Sequence, residues 1–374
     1  MMKATSILLL FFFIVSCSSD KSNSQSAFHY PERANLEEVA VISELNKDQF
    51  FGRPNFVLPL ADGSLVIADI QTSQLHHFNS SLNHLGSYGR KGKGPGEFER
   101  IQDIILTGNT LKVIDSSNRR VTTFEVSEDL LEQVNISDFE YLMMPEYPAS
   151  MLREFIAHDD KTYTAIYMYF GMMSQSNPSV TELVAVPYSS SFQSDTSNGI
   201  TPLKYVSEFR EDRVVLSVPF YERGYYATMN NFLVYGINNK PVLQLYGKSG
   251  NVEREIALPD TRQTLTQEEK EKIYDERYRN SPDTDRFRGL VLSHMPDQKP
   301  VIRSLKADAD NRIWVRVFRE GTDSADWIIF NSDGDPLVNL RIPEGQTFQN
   351  AKGNRVYLKR QPEEGPEIVV MEWN

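Results

Sequence analysis

The sequence predicts an all-β chain: a six-bladed β-propeller with four-stranded antiparallel blades, closed by an N-terminal strand. Three observations carry this expectation. A turn dipeptide followed by a strand rich in β-branched and aromatic residues recurs six times. Apolar segments before and after each copy supply further strands, to about four per unit. The last unit runs out of chain one strand short, while a spare strand stands ahead of the first. A lone four-stranded sheet cannot bury both faces, so such units must pack radially against one another. A two-sheet sandwich would not generate six similarly ordered units.

Taken in order, the copies are Asp62-Gly63 before SLVIAD, Gly108-Asn109 before TLKVID, Asp160-Lys161 before TYTAIY, Asn230-Asn231 before FLVYGI, Asp310-Asn311 before RIWVRV and Gly353-Asn354 before RVYLKR. These dipeptides favour φ > 0, as two-residue hairpins require. Spacings between second turn residues are 46, 52, 70, 80 and 43. The short ones fit a bare blade and the long ones carry insertions. Phe56-Val57-Leu58 and Ile104-Ile105-Leu106 exemplify first strands. Gln74–Phe78, Arg120–Phe124, Asp326–Phe330 and Glu367–Met371 read as third strands, and 82–88, 130–136, 252–258 and 336–342 as fourth strands. The unit after Gly353 ends with three strands, and Glu38 to Ile42 is expected to supply its fourth, removing an open edge. One helix is expected inside the insertion between blades four and five. There Thr266 and Glu269 form a capping box, and Arg277 and Arg279 occupy the last turn.

The N-terminus is an address. Lys3 precedes an unbroken apolar run, Ile7 to Val15, of signal-peptide length and too short to span a bilayer. Cys17, the single cysteine of the chain, follows at once, so no intramolecular disulfide or CxxC pair exists. With Ile14-Val15-Ser16 before it, this resembles a bacterial lipoprotein signal. The resemblance implies lipidation at Cys17 and an outer-membrane lipoprotein facing the periplasm. The division expected is a signal peptide at 1–16, a flexible polar tether at 17–35 and the propeller at 36–374, with membrane contact through the lipid only.

Between the first two blades, Gly89 to Phe98 resembles the connector of NHL-type repeats, in which a Gly-rich stretch ends in Gly-x-Phe and leads into the next inner strand. Ile67-Ala68-Asp69, Val113-Ile114-Asp115 and Asn118-Arg119-Arg120-Val121 match that repeat as well. From 36 to 374 the chain resembles the six-bladed, TolB-like propeller lipoproteins of Bacteroidetes-type bacteria, a resemblance that implies a fold and no activity.

Chemistry is less explicit. The net charge of -12 over 374 residues opposes nucleic-acid binding. The Gly-rich run enters a strand through Pro95, not a helix, so it is a connector and not a phosphate loop. No HExxH, calcium-loop or GxSxG pattern occurs, and no cofactor or metal is expected. His76 and His77 face opposite sides of a strand, one packed and one solvated. Asp69 and Asp115, at the ends of second strands, are expected to accept backbone hydrogen bonds in their turns.

Topology gives a lead to a site. The long segments 169–181, 189–222 and 259–300 lie on one face, where second-to-third loops and blade-to-blade connections gather. Seven residues before each turn stand Asn55, Ile101, Arg153, Arg223, Arg303 and Gln346, and a shift of one in blade two would bring in Arg100. Arg153, Arg223 and Arg303 are the candidate anion-binding residues, with Tyr169, Phe170, Tyr225 and Tyr274 as aromatic walls. The competing reading pairs these arginines with Glu99, Glu154 and Glu222 as structural ties. Two functions stay open. One is a monomeric, membrane-tethered module that binds a small anionic ligand or an envelope protein. The other is a lactonase- or hydrolase-like enzyme working at the central channel. Gluconolactonase-like propellers, which the second resembles, place carboxylates and amides around a divalent ion, and an Arg-rich rim suits an anion instead.

Overall fold

A computed structural model describes residues 28, 30–46, 49–142, 150–158, 162–170, 179–195, 201–211, 214–279, 284–318 and 325–374. Five of the six turn signals reverse the chain with positive φ: Gly63 at 89°, Gly108 at 58°, Asn231 at 70°, Asn311 at 58° and Gly353 at 57°. The sixth, Asp160-Lys161, lies outside the described residues.

These reversals build six antiparallel sheets. Blade one is Pro54–Pro59, Leu65–Asp69, Gln74–Phe78 and His84–Tyr88. Blade two is Ile101–Thr107, Thr110–Asp115, Arg120–Ser127 and Leu130–Asp138. Blade three is Ser150–Ala157, Tyr163–Phe170, Ser179–Tyr188 and Thr201–Glu211, with Val214–Leu216 added at its edge. Blade four is Gly224–Met229, Phe232–Ile237, Val242–Tyr246 and Val252–Ala257. Blade five is Ile302–Ala307, Ile313–Phe318, Ala325–Phe330 and Pro336–Leu340. Blade six takes Gln346–Lys352, Arg355–Arg360 and Glu367–Trp373 from the C-terminus and Leu36–Ile42 from the N-terminus. The closing strand pairs antiparallel from Leu36 opposite Trp373 to Ile42 opposite Ile368, with a bulge at Val39.

Radial packing explains the composition of the second strands. Leu65–Asp69 is buried at every position because both its faces meet a blade. Leu65 and Ile67 join Ile368 and Val370 of blade six, whereas Val66 and Ala68 join Val113 and Phe124 of blade two. Each of the six blade junctions holds one such buried cluster, and the junction between blades five and six holds Trp314, Trp327 and Phe348.

Three expectations change. The insertion before blade five holds two helices, α1 (Gln267–Tyr278) and α2 (Thr284–His294). The capping box of α1 forms as expected, with Thr266 Oγ1 accepting from Glu269 N at 3.2 Å. The second helix contains Gly289 and a weak apolar period, and it is held by Phe287 and Val291 packing with Tyr274, Leu216 and Val218. The segment 189–222 is not a bare connection, because it contains the outer strand of blade three. Residues 30–35, placed in the tether by composition, lie along blade five. Arg33 pairs with Asp326, and Ala34 N donates to Asn339 O at 3.0 Å. The signal peptide and Cys17 lie outside the described residues. Among the described residues no helix is long and apolar enough to cross a membrane.

Candidate functional site

In blades one, two and four the entry to the inner strand is fixed by a buried side chain at or just past the end of the second strand. The Asp69 carboxylate accepts from Arg53 N at 3.0 Å, Gln71 N at 2.9 Å and Thr72 N at 3.1 Å. Asp115 does the same for Glu99 N at 2.7 Å, Arg100 N at 3.2 Å and Asn118 N at 3.0 Å. These are the backbone-accepting roles expected of both residues. In blade four the post is held by Asn238, 2% exposed. Its Oδ1 accepts from Arg223 N at 3.1 Å, and its Nδ2 donates to Tyr221 O at 3.0 Å.

This shared bond sets the true correspondence among blades. Arg53, Arg100 and Arg223 are equivalent, each donating its backbone N–H to the post, and all three side chains are exposed. Arg153 and Arg303 belong to a second set. They fall at β-bulges in the inner strands, as do Asn55, Gln102 and Gln349. The three arginines read as one column therefore occupy two positions. In blade two the bulge falls at Gln102 in place of Ile101, and in blade six at Gln349 in place of Gln346.

Between blades four and five, beneath the helical insertion, lies a pocket of about 200 Å³. Arg223, Arg277 and Arg303 line it, together with Tyr221, Tyr225 and Asn238. Three unconnected elements deliver the cations: the connection into blade four, the last turn of α1 and the bulge of blade five. The Arg223 guanidinium stands 5.8 Å from the Tyr225 ring centre, Arg303 stands 4.4 Å from that of Phe318, and Arg277 donates to Ser217 Oγ at 3.0 Å. Glu222, the neighbouring acid, is turned to Lys204 at 2.6 Å and to Asn239 at 3.2 Å. The bond from Lys204 holds its carboxyl below the usual range. Gly224 makes the approach possible, since a Cβ there would lie 2.3 Å from the Lys204 carbonyl oxygen. Phe220, in the left-handed region at φ 58°, turns the chain into the pocket wall.

Of the residues singled out in the sequence, Arg223, Arg303 and Tyr225 come together. Arg153 is set apart between blades three and four, where it hydrogen-bonds Tyr226. Tyr169 packs in the junction of blades two and three, and Phe170 in that of blades three and four. Tyr274 is fully buried, stacked on Tyr278 at 4.7 Å as a pillar of the helical insertion. Arg277 and Asn238 were not singled out. Asn238 had a signal, since it follows FLVYGI much as Asp69 ends SLVIAD.

The Arg–Glu ties of the competing reading take other forms. Glu154 accepts from Thr228 Oγ1 at 2.7 Å across the blade junction. Asp103 is a second inter-blade pin. It accepts from Phe155 N at 2.6 Å, and burial, with Glu154 next to it, pushes its carboxyl well above the usual range. The Gly-rich connector is braced from within, with Glu97 accepting from Gly94 N at 2.8 Å and Asn118 Nδ2 donating to Gly92 O at 3.1 Å. His76 and His77 are both buried, at 0% and 4% exposed, so neither is the solvated partner expected. Among the described residues no three His, Cys, Asp or Glu side chains are grouped to hold a metal ion.

The family comparison agrees with this architecture. A family model described as a 6-bladed beta-propeller, DUF5128, matches residues 44–170. Comparison with curated proteins gives no match. Among solved structures, a member of the DUF4221 family from Bacteroides vulgatus is similar over 91% of this chain and 98% of its own, at 10% identity and a TM-score of 0.49. PQQ-bound aldose sugar dehydrogenase from Streptomyces coelicolor is similar over 92% and 100%, at 11% identity and a TM-score of 0.41. The calcium-binding protein regucalcin from Agrobacterium tumefaciens is similar over 92% and 97%, at 9% identity and a TM-score of 0.38. By its own strand topology and by the family match, the chain is a six-bladed β-propeller.

Proposed function

We propose that this protein is an exported binding module, lipid-anchored through Cys17 at the outer membrane, whose propeller holds a small anionic ligand between blades four and five. One observation carries the binding reading. Three guanidiniums from three separate elements line one pocket, and the carboxylate that also lines it, Glu222, is engaged by Lys204. Guanidinium pairs recognise carboxylates through paired hydrogen bonds, and Tyr221 and Tyr225 add apolar area for the rest of the ligand. A local basic pocket focuses its own field even in a chain of net charge -12. The carboxyls nearest the inner strands, Asp103 and Glu154, are spent on contacts between blades. That use favours binding over a lactonase-like reaction at the channel. The export reading rests on the apolar run 7–15 and the cysteine that follows it.

Isothermal titration with 4-hydroxybenzoate, a carboxylate on an aromatic ring, tests the site. Saturable binding is expected. Arg223→Met should abolish it and leave the melting temperature nearly unchanged, because the side chain is exposed. A sharp fall in melting temperature would identify Arg223 as a structural tie and overturn the reading.

A further inference from the structure

A second pocket, of about 320 Å³, opens between blades five and six and shares no lining residue with the first. Its existence follows from a departure in the repeat on the face that blade five turns to blade six. On second strands, alternate residues face the next blade. Counted from the first-to-second turn, the equivalent positions in blades one to four are Ala68, Ile114, Ile166 and Gly236, all buried against their neighbours. In blade five the position is Arg316, and it is exposed; in blade six it is Lys359, half-buried. Ser304 and Trp327 pair with Arg316 across the sheet and present the same face, and Lys306 follows two residues on. Trp314 fills the lower part of this junction against Phe348, at 4.6 Å between ring centres. Beside Arg316 the junction stays open.

The lining specifies a chemistry. Among the described residues neither Lys306 nor Arg316 has an ion-pair or hydrogen-bond partner. One exposed acid, Glu344, lines the same pocket, so the two cations leave an excess positive charge. Gln346 lines it too, and its buried Oε1 accepts no hydrogen bond, which calls for a donor. Ser304 and Thr347 add hydroxyls. Trp327, Phe348 and Ile342 form the apolar floor, with Trp327 7% exposed. An uncharged polyol would leave the cations unanswered, and a bare fatty acid would leave Gln346 and the hydroxyls unpaired.

We infer that this inter-blade pocket is a binding site for a small hydroxylated carboxylate. The carboxylate lies between Lys306 and Arg316, and hydroxyls on the carbon frame donate to Gln346. The site is independent of the pocket between blades four and five.

Three probes of one ring size separate these requirements: quinate, which carries a carboxylate and hydroxyls; cyclohexanecarboxylate, which lacks the hydroxyls; and myo-inositol, which lacks the charge. Titration of the full chain, followed by heat and by tryptophan emission, should show quinate binding with each of the others at least tenfold weaker. Arg316→Gln and Lys306→Gln should each weaken quinate tenfold or more at unchanged melting temperature, and Arg223→Met should leave it unaffected. Absence of quinate binding at 10 mM would overturn the inference, as would equal affinity for either control probe. Loss of quinate binding in Arg223→Met with none in Arg316→Gln would place the ligand in the other pocket and equally overturn it.

Discussion

Asn238 offers a test of how the fold holds the first pocket. Blades one and two use aspartate at this post because the groups that bond it are all N–H donors, backbone in blade one and backbone plus the Asn118 amide in blade two. Blade four uses an amide because its neighbours are of both kinds: Arg223 N donates to it, whereas Tyr221 O and Phe220 O accept from it. Asn238→Ala removes these bonds in a 2% exposed setting. It strands one donor and leaves two carbonyls short, a loss of about 3 kcal/mol at roughly 1 kcal/mol per bond. Asn238→Asp keeps the bond from Arg223 but turns a carboxylate oxygen toward two carbonyl oxygens. The repulsion and the buried charge cost about as much as the deletion. Both variants should therefore shift the midpoint of urea unfolding by similar amounts, and both should loosen the 218–223 wall and weaken ligand binding. The converse substitution, Asp69→Asn, turns an amide NH2 toward a backbone N–H, since Gly52 N donates to one carboxylate oxygen and Arg53, Gln71 and Thr72 N to the other, and it too should lower the urea midpoint. If Asn238→Asp unfolds at the wild-type urea concentration, the donor role of the amide is refuted.

Removing 36–42 takes away the outer strand of blade six and bares Ile368 and Val370, which are fully buried. The melting temperature should fall by roughly 10 °C or more, at about 2–4 °C per kcal/mol, and an unchanged value would mean that the ring is closed by other contacts. Cys17→Ala should release the protein from membranes or leave an uncleaved precursor, whereas mature protein still in the membrane fraction would contradict lipid anchoring. The His76 imidazole is held down to about 4 by burial, opposed in part by Asp69 and reinforced by His84. An unfolded histidine takes its proton near 6.5, so the unfolded chain binds more protons between those values. Stability should therefore fall as pH drops from about 6.5 to about 4, by about 3 kcal/mol in all. His76→Gln should flatten that part of the profile, and an unaltered slope would show that other groups set it.

The strands were legible because their signals are local. A turn dipeptide and six apolar residues define a hairpin wherever they occur, and closure follows from counting strands. What escaped depends on contacts distant in sequence or on single-residue irregularities. The outer strand Thr201–Glu211 carries Lys204, Glu208, Arg210 and Glu211, and an edge strand needs no apolar alternation to pair on one side. The helix Thr284–His294 owes its form to packing against Leu216 and Val218, some 70 residues earlier. The arginine column failed in register because a fixed offset assumes inner strands of constant length. The inner strand of blade four instead pairs without a bulge, so the offset lands on Arg223 at the post, and the bulges of blades two and six fall at other offsets. Arg277 reaches the first pocket only through the packing of its helix, which no pattern within 267–278 encodes. Arg316 is the opposite case. It stands in RIWVRV, and once blades are matched on their second strands its neighbours in the column are Ala68, Ile114, Ile166, Gly236 and Lys359. A repeat protein carries its own comparison set, and a blade that breaks the apolar rule at a junction is where a proposed recognition site can be sought.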